Sequence, residues 1–166
     1  MTADELAGAA DTGNQARMGA RFAETEEPPM AILHGISGYA HIETPAGEVE
    51  AMRLGLGEEV WTRDPTGARV PGRVVGLESS AVDPEYQPLQ LSLADGRSVV
   101  LSVRHPLADG RAAGTIREHE TLDGAEVWSL APVEYDLPVT YDLLVEGGDG
   151  TYWADGIALG STLLPK

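Results

Sequence analysis

His105 is the side chain in this sequence best suited to chemistry near neutral pH. It ends the run Val99-Val100-Leu101-Ser102-Val103-Arg104 and precedes Pro106. An imidazole titrates in the range where a group can both give and take a proton. Ser102 offers a hydroxyl three residues earlier, and Asp142 offers a carboxyl group within Thr140-Tyr141-Asp142-Leu143-Leu144-Val145. Ser37 is a further hydroxyl, beside Gly38. Taken alone, these residues fit a turn histidine, a solvent-facing serine and a hydrogen-bonding acid at a strand edge. A hydrolase triad of Ser102, His105 and Asp142 is not expected, because Ser102 and His105 share one strand end and do not face each other.

Other chemistry is excluded more firmly. The chain has no Cys, so disulfides, thiolate metal sites and thiol nucleophiles are absent. His34, His41, His105 and His119 lack metal-ligand spacing. The Asp-Gly pairs at Asp95, Asp109, Asp123 and Asp155 are turn signals without a calcium-loop pattern. The reading is of no metal and no cofactor. A formal charge of −16 disfavours nucleic acid and anionic membranes as partners and favours solubility. No apolar run is long enough to span a bilayer. Met1-Thr2-Ala3-Asp4-Glu5 lacks the features of a signal peptide, so a cytoplasmic location is the default expectation; an extracellular one fits a piece of a larger chain.

The elements that must position these groups read as β-strands. Gly and Pro punctuate many short alternating segments, the pattern of an all-β domain. Ala40 to Thr44 alternates before a turn at Pro45-Ala46-Gly47. Glu59 to Thr62 and Val70 to Ser80 flank Asp64-Pro65-Thr66-Gly67. Leu89 to Leu93 and Ser98 to Val103 flank Ala94-Asp95-Gly96-Arg97, a strong hairpin signal. Glu126 to Leu130, Val139 to Glu146 and Thr151 to Ala158 complete the strands. Thr115 to Leu122 is the one plausible helical stretch in this region. Residues 1–30 are rich in Ala, Gly, Thr and acids and end in Glu24-Thr25-Glu26-Glu27-Pro28-Pro29. They are expected to form a disordered acidic tail before a domain spanning 31–166, with at most a turn or two of helix over Asp4 to Ala10.

Gly57-Glu58-Glu59-Val60-Trp61 is echoed by Gly124-Ala125-Glu126-Val127-Trp128. In each copy Val faces one side of a strand and Trp the other, which predicts two related halves. Further blocks occur in order: Gly35-Ile36-Ser37-Gly38-Tyr39-Ala40-His41-Ile42-Glu43-Thr44-Pro45-Ala46-Gly47, then Leu56-Gly57-Glu58-Glu59-Val60-Trp61, then Ser102-Val103-Arg104-His105-Pro106. Tyr141-Asp142-Leu143 and Trp153-Ala154-Asp155-Gly156-Ile157-Ala158-Leu159 follow. Their order and spacing resemble the Hint superfamily, which holds inteins, the autoprocessing domain of Hedgehog proteins and bacterial intein-like domains. The ending, from Tyr152 to Ile157 and then Leu159-Gly160-Ser161-Thr162-Leu163, is similar to a bacterial subgroup. The resemblance covers Gly35 to about Leu163.

What the resemblance implies is a mostly β Hint fold, a β-structure with pseudo-two-fold symmetry, and a domain that cleaves or splices its own chain or flanking polypeptide. The implied first step is attack by the first residue's side chain on the preceding carbonyl. The matching position is Gly35, which has no nucleophile. Ser37 is close by, but using it would leave the following strand two residues short. By the same resemblance His105 protonates the leaving nitrogen, Ser102 hydrogen-bonds the same amide, and Asp142 shuttles protons. Ser161 stands where inteins carry the terminal Asn. The one Asn in the chain is Asn14, so cleavage by Asn cyclisation is excluded.

The expectation is therefore an autoprocessing domain inactive as written, with His105, Ser102 and Asp142 gathered near the His34–Gly35 peptide. The first and last strands are expected to run together through the centre. Since Gly35 only removes atoms, the packing around it need not be disturbed, and a Gly35→Cys variant discriminates: regained cleavage points to an autoprocessor, an inert variant to a module. The alternative is a β-rich protein-binding or scaffold module without catalysis.

Overall fold

Strand-forming residues occupy eleven short segments of the computed structural model, which describes residues 34–163. The expected N-terminal tail lies outside the described residues. In chain order the strands are β1 His41–Thr44, β2 Gly47–Glu50, β3 Glu59–Arg63, β4 Arg69–Ala81, β5 Leu89–Leu93 and β6 Ser98–Leu101. They continue with β7 Thr121–Leu122, β8 Ala125–Pro132, β9 Val139–Glu146, β10 Tyr152–Ala154 and β11 Ile157–Leu159. Single 3-10 turns occur at Ala51–Arg53 and Ala113–Thr115. No helix among the described residues is long and apolar enough to cross a membrane.

Three sheets result, with orders β9-β4-β3, β11-β10-β1-β2 and β6-β5-β8-β7. All their pairings are antiparallel. The turns fall at the Asp-Gly signals, and one of them breaks Thr151 to Ala158, expected as a single strand, into a hairpin. Asp123-Gly124 joins β7 to β8 and Asp155-Gly156 joins β10 to β11. Both residues of each pair have positive φ, between 52° and 85°. That is the two-residue hairpin geometry whose twist matches the flanking strands. β4 and β9 run together from Val139 opposite Ala81 to Glu146 opposite Arg73. A bulge between Leu144 and Val145 leaves Val75 of β4 unpaired and exposed.

The inward faces form one core, in which Ile36, Ile42, Leu91, Leu101, Leu107, Leu143, Tyr152, Ile157 and Leu159 are fully buried. Both valines of the echo are fully buried, while Trp61 is half-buried and Trp128 is 62% exposed. The two copies therefore share side-chain direction. Their sheet positions differ, because β3 lies at an edge and β8 lies inside its sheet.

The helical expectation over Thr115 to Leu122 is corrected. Its backbone groups are taken by β8: the His119 N–H donates to Val127 O (2.8 Å), and the Val127 N–H donates to Glu120 O (2.8 Å). Thr121–Leu122 is strand as a result.

Candidate active site

Ile36 places the site. β6 and β9 are edge strands of different sheets, and each presents unpaired backbone groups. Ile36 fills the gap. It exchanges hydrogen bonds with Tyr141 (2.8 and 3.0 Å) and bridges Leu101 on its other side. Ser37 N–H donates to Val100 O (3.0 Å) and Ser102 N–H to Gly35 O (2.8 Å). The first and last strands meet one step beyond Gly35: the edges of β6 and β9 claim the first segment, while β1, which follows it, lies beside β10, within the stretch expected as the last strand. The residues after β11 still reach the site, through Gly160 and Thr162.

The His34–Gly35 peptide is engaged at both ends. The His34 carbonyl oxygen accepts from Ser102 Oγ (3.0 Å) and from Thr140 Oγ1 (3.0 Å). The Gly35 N–H donates to His105 Nδ1 (3.0 Å). Because Nδ1 accepts, the proton of the neutral ring sits on Nε2. That N–H donates to Gly160 O (2.9 Å) and lies 3.1 Å from the Tyr152 hydroxyl. Two hydroxyls on one carbonyl oxygen are the arrangement that stabilises negative charge developing there.

Asp142 stands one residue behind His105. Its Oδ1 accepts from the Tyr152 hydroxyl (3.0 Å) and from Leu143 N–H (2.8 Å). Its Oδ2 accepts from Thr162 N–H (2.7 Å) and from the Thr162 hydroxyl. Tyr152 thus connects Asp142 to His105. On the carbonyl side, the Tyr86 hydroxyl makes a short contact with Ser102 Oγ. Ser102 gives its own proton to His34, so Tyr86 is the donor to Ser102.

Burial sets the charge states. His105 is fully buried, which pushes its pKa below the ordinary value; the neighbouring Asp142 opposes this in part. Burial raises the Tyr86 pKa, and burial with Asp142 beside it raises that of Tyr152 well above the ordinary value. Both phenols remain proton donors at neutral pH. A cleft of about 220 Å³, lined by Gly35, Glu78, Tyr141, Asp142 and Thr162 among others, adjoins the peptide.

The structure brings His105, Ser102 and Asp142 together around the His34–Gly35 peptide, although they are scattered in sequence. Ser102 is fully buried and faces the peptide, not solvent. Ser37 does not join them: its Oγ accepts from Tyr39 N–H (3.0 Å) in the turn before β1. Ser161 likewise makes a local bond, accepting from Leu163 N–H (3.0 Å).

Gly35 departs from expectation. Its φ is +105°, a conformation that side chains rarely adopt. A Cβ built there would lie 2.5 Å from Thr140 Oγ1 and 2.8 Å from Thr140 Cβ. The position does more than lack atoms; its space is filled. A Gly35→Cys change by itself has no room.

Thr140, Tyr152, Thr162 and Tyr86 were not legible as site residues. Thr140 carries one usable signal, since it shares strand parity with Asp142 and so points to the same face. Two polar residues on one face of an otherwise apolar strand mark a buried polar site. Tyr86 lies in a loop, where periodicity says nothing about direction.

No protein-family model matches this sequence, and no curated protein matches it. Solved structures do. A variant of the Ssp DnaB mini-intein is 16% identical with a TM-score of 0.68, over 80% of this chain and 96% of that one. A DnaB intein from Synechocystis is 17% identical with a TM-score of 0.66, over 78% and 99%. A bacterial intein-like domain from Clostridium thermocellum is 21% identical with a TM-score of 0.62, over 78% and 98%. The fold of this chain is mostly β and of the Hint, or intein, type.

Proposed function

We propose that this Hint-fold chain is an intein-like autoprocessing domain whose cleavage step is silent as written. The observation that carries the reading is the treatment of one peptide bond. The His34 carbonyl oxygen receives two hydroxyl protons while the Gly35 nitrogen contacts an imidazole. An ordinary turn needs neither. Acyl transfer needs both, because charge develops on the oxygen and the nitrogen must leave with a proton.

Ser102 and Thr140 would stabilise the oxyanion. Tyr86 would support Ser102, and Asp142 would hold Tyr152 and Thr162 around the ring of His105. His105 Nδ1 would carry the proton from nucleophile to nitrogen. The nucleophile is the missing part, because Gly35 has no side chain. Ser161 supplies no amide for cyclisation at the other end.

The chain should therefore stay intact. Intact-mass measurement after incubation with dithiothreitol or hydroxylamine should show one species, and a protease-free fragment beginning at Gly35 would overturn the silence. Supplying a thiol at position 35, in a variant shown to be folded, separates this reading from a binding or scaffold module. The autoprocessing reading expects thiol-dependent cleavage after His34; the module reading expects none.

A further inference from the structure

The geometry points to Thr140 as the residue that bars a nucleophile from position 35: its side chain occupies the room that such a side chain would need, so Gly35 and Thr140 act as one unit. The inference rests on the reading of the site as an autoprocessing centre. It adds the residue that closes that centre.

The contact distances carry the argument. A Cβ at position 35 would meet Thr140 Oγ1 at 2.5 Å, Thr140 Cβ at 2.8 Å and the Tyr141 carbonyl oxygen at 3.2 Å. Two of these are below any distance that real Cβ atoms keep, and one of the two involves the Thr140 Cβ, which no rotation about χ1 can move. The backbone cannot easily yield. Thr140 pairs with Ser80 across β4 and β9, and the neighbouring Tyr141 is hydrogen-bonded to Ile36. Thr140 is β-branched and buried, and its hydroxyl is committed to the His34 carbonyl.

The position of that hydroxyl adds a functional point. A side-chain nucleophile at position 35 must approach the carbonyl carbon of His34, and Thr140 Oγ1 lies 3.0 Å from the oxygen on that carbon. Thr140 thus supplies a hydrogen bond to the carbonyl while filling the room beside Gly35. The peptide becomes a joint that ties the entering segment to β9. Ser102 and His105 still reach it from their own sides.

The test has two arms. The first measures thermal unfolding of the wild type, Gly35→Ala, Thr140→Gly and the double variant, since alanine at 140 would keep the Cβ that lies 2.8 Å away. At position 35 alanine adds the Cβ and nothing beyond it. The strain of positive φ is common to both backgrounds and cancels in the cycle. Gly35→Ala should lower the midpoint by at least about 5 °C. That loss should fall to less than half when Thr140→Gly is present. An equal loss in both backgrounds would overturn the inference. So would failure of both Gly35→Ala proteins to fold, since Thr140→Gly would then have relieved nothing.

The second arm compares Gly35→Cys with Gly35→Cys/Thr140→Gly by intact mass under dithiothreitol. The new thiol passes its proton to His105 Nδ1, and the sulfur adds to the His34 carbonyl carbon. The C–N bond breaks, and Nδ1 returns the proton to the nitrogen of residue 35. Residues 1–34 are then held as a thioester, from which a dithiothreitol thiol displaces the sulfur. Cleavage should be at least ten-fold faster in the double variant, because room for the thiol outweighs the loss of one of the two donors to the carbonyl and Ser102 remains as the other. Equal, measurable rates would overturn the blocking role of Thr140. Cleavage in neither protein, with the stability coupling present, would leave that role standing and overturn the autoprocessing reading instead.

Discussion

His105 holds a neutral imidazole in a fully buried position, and that has a thermodynamic consequence. Burial places its folded-state pKa below the unfolded value near 6.5. Below that value the unfolded chain binds the proton more readily than the folded one. The stabilising contribution is complete above about pH 6.5 and is lost as pH falls toward the folded pKa. His119 acts in the opposite sense, because Glu126 beside it raises its pKa. Urea unfolding of a His119→Gln background should therefore show stability falling between about pH 7 and 5.5; a flat profile would contradict a buried neutral His105. Asp142 gives a second prediction. Its two oxygens accept four hydrogen bonds from Tyr152, Leu143 and Thr162. In Asp142→Asn the amide NH2 must confront donors at either oxygen position. A loss of about 2–3 kcal/mol is expected from chemical denaturation, and an unchanged midpoint would show that the network rearranges freely.

Among the elements, the hairpin tips are joined by one side chain. Arg97 follows the β5–β6 turn and pairs with Asp95 beside it. It also donates to the Asp123 carboxylate (2.6 Å) and to the carbonyl of Asp123 (2.7 Å), in the β7–β8 turn. A further bond reaches the Gly156 carbonyl (2.8 Å) in the β10–β11 turn. The first two turns belong to one sheet and the third to another. Two of its acceptors are backbone carbonyls that no smaller side chain can reach. Arg97→Ala should cost about 1–3 kcal/mol. Arg97→Lys should recover only part of that, because an ammonium lacks the planar fork that spans these acceptors. Hydrogen exchange at Asp123, Gly124 and Gly156 should accelerate in the Ala variant; unchanged exchange would mean the turns hold without the arginine.

For the whole molecule, the charge of −16 is the dominant global feature. Like charges repel more strongly in the compact state than in the extended chain, so self-repulsion opposes folding. Screening at physiological ionic strength shortens that repulsion to about 8 Å. Unfolding midpoints should rise from roughly 0.01 M to 0.15 M salt. A fall instead would mean that local pairs such as Arg69–Glu43 and Arg63–Asp149 outweigh the general repulsion.

The linear pattern determined much of this protein. Alternation and turn chemistry are local, so most of the strands, the hairpins at Asp64 to Gly67 and Ala94 to Arg97, and the Asp-Gly turn signals were readable in order, although Thr151 to Ala158, read as one strand, is a hairpin. The opposite facing of Val60 and Trp61, and of Val127 and Trp128, was readable too. The order of the blocks carried the fold type, and His105, Ser102, Asp142 and Gly35 were legible as the residues to watch. Thr115 to Leu122 was misread because its hydrogen bonds go to β8, which no local rule can see. Tertiary structure alone decided what the site contains. Residues 34 and 140 lie 106 positions apart, yet a hydroxyl of one bonds the carbonyl of the other. Whether Gly35 is an empty position or a filled one depends on that contact and on its φ of +105°. Periodicity fixes which way a side chain points within its own strand; what it meets there is set by the packing of strands far apart in the chain.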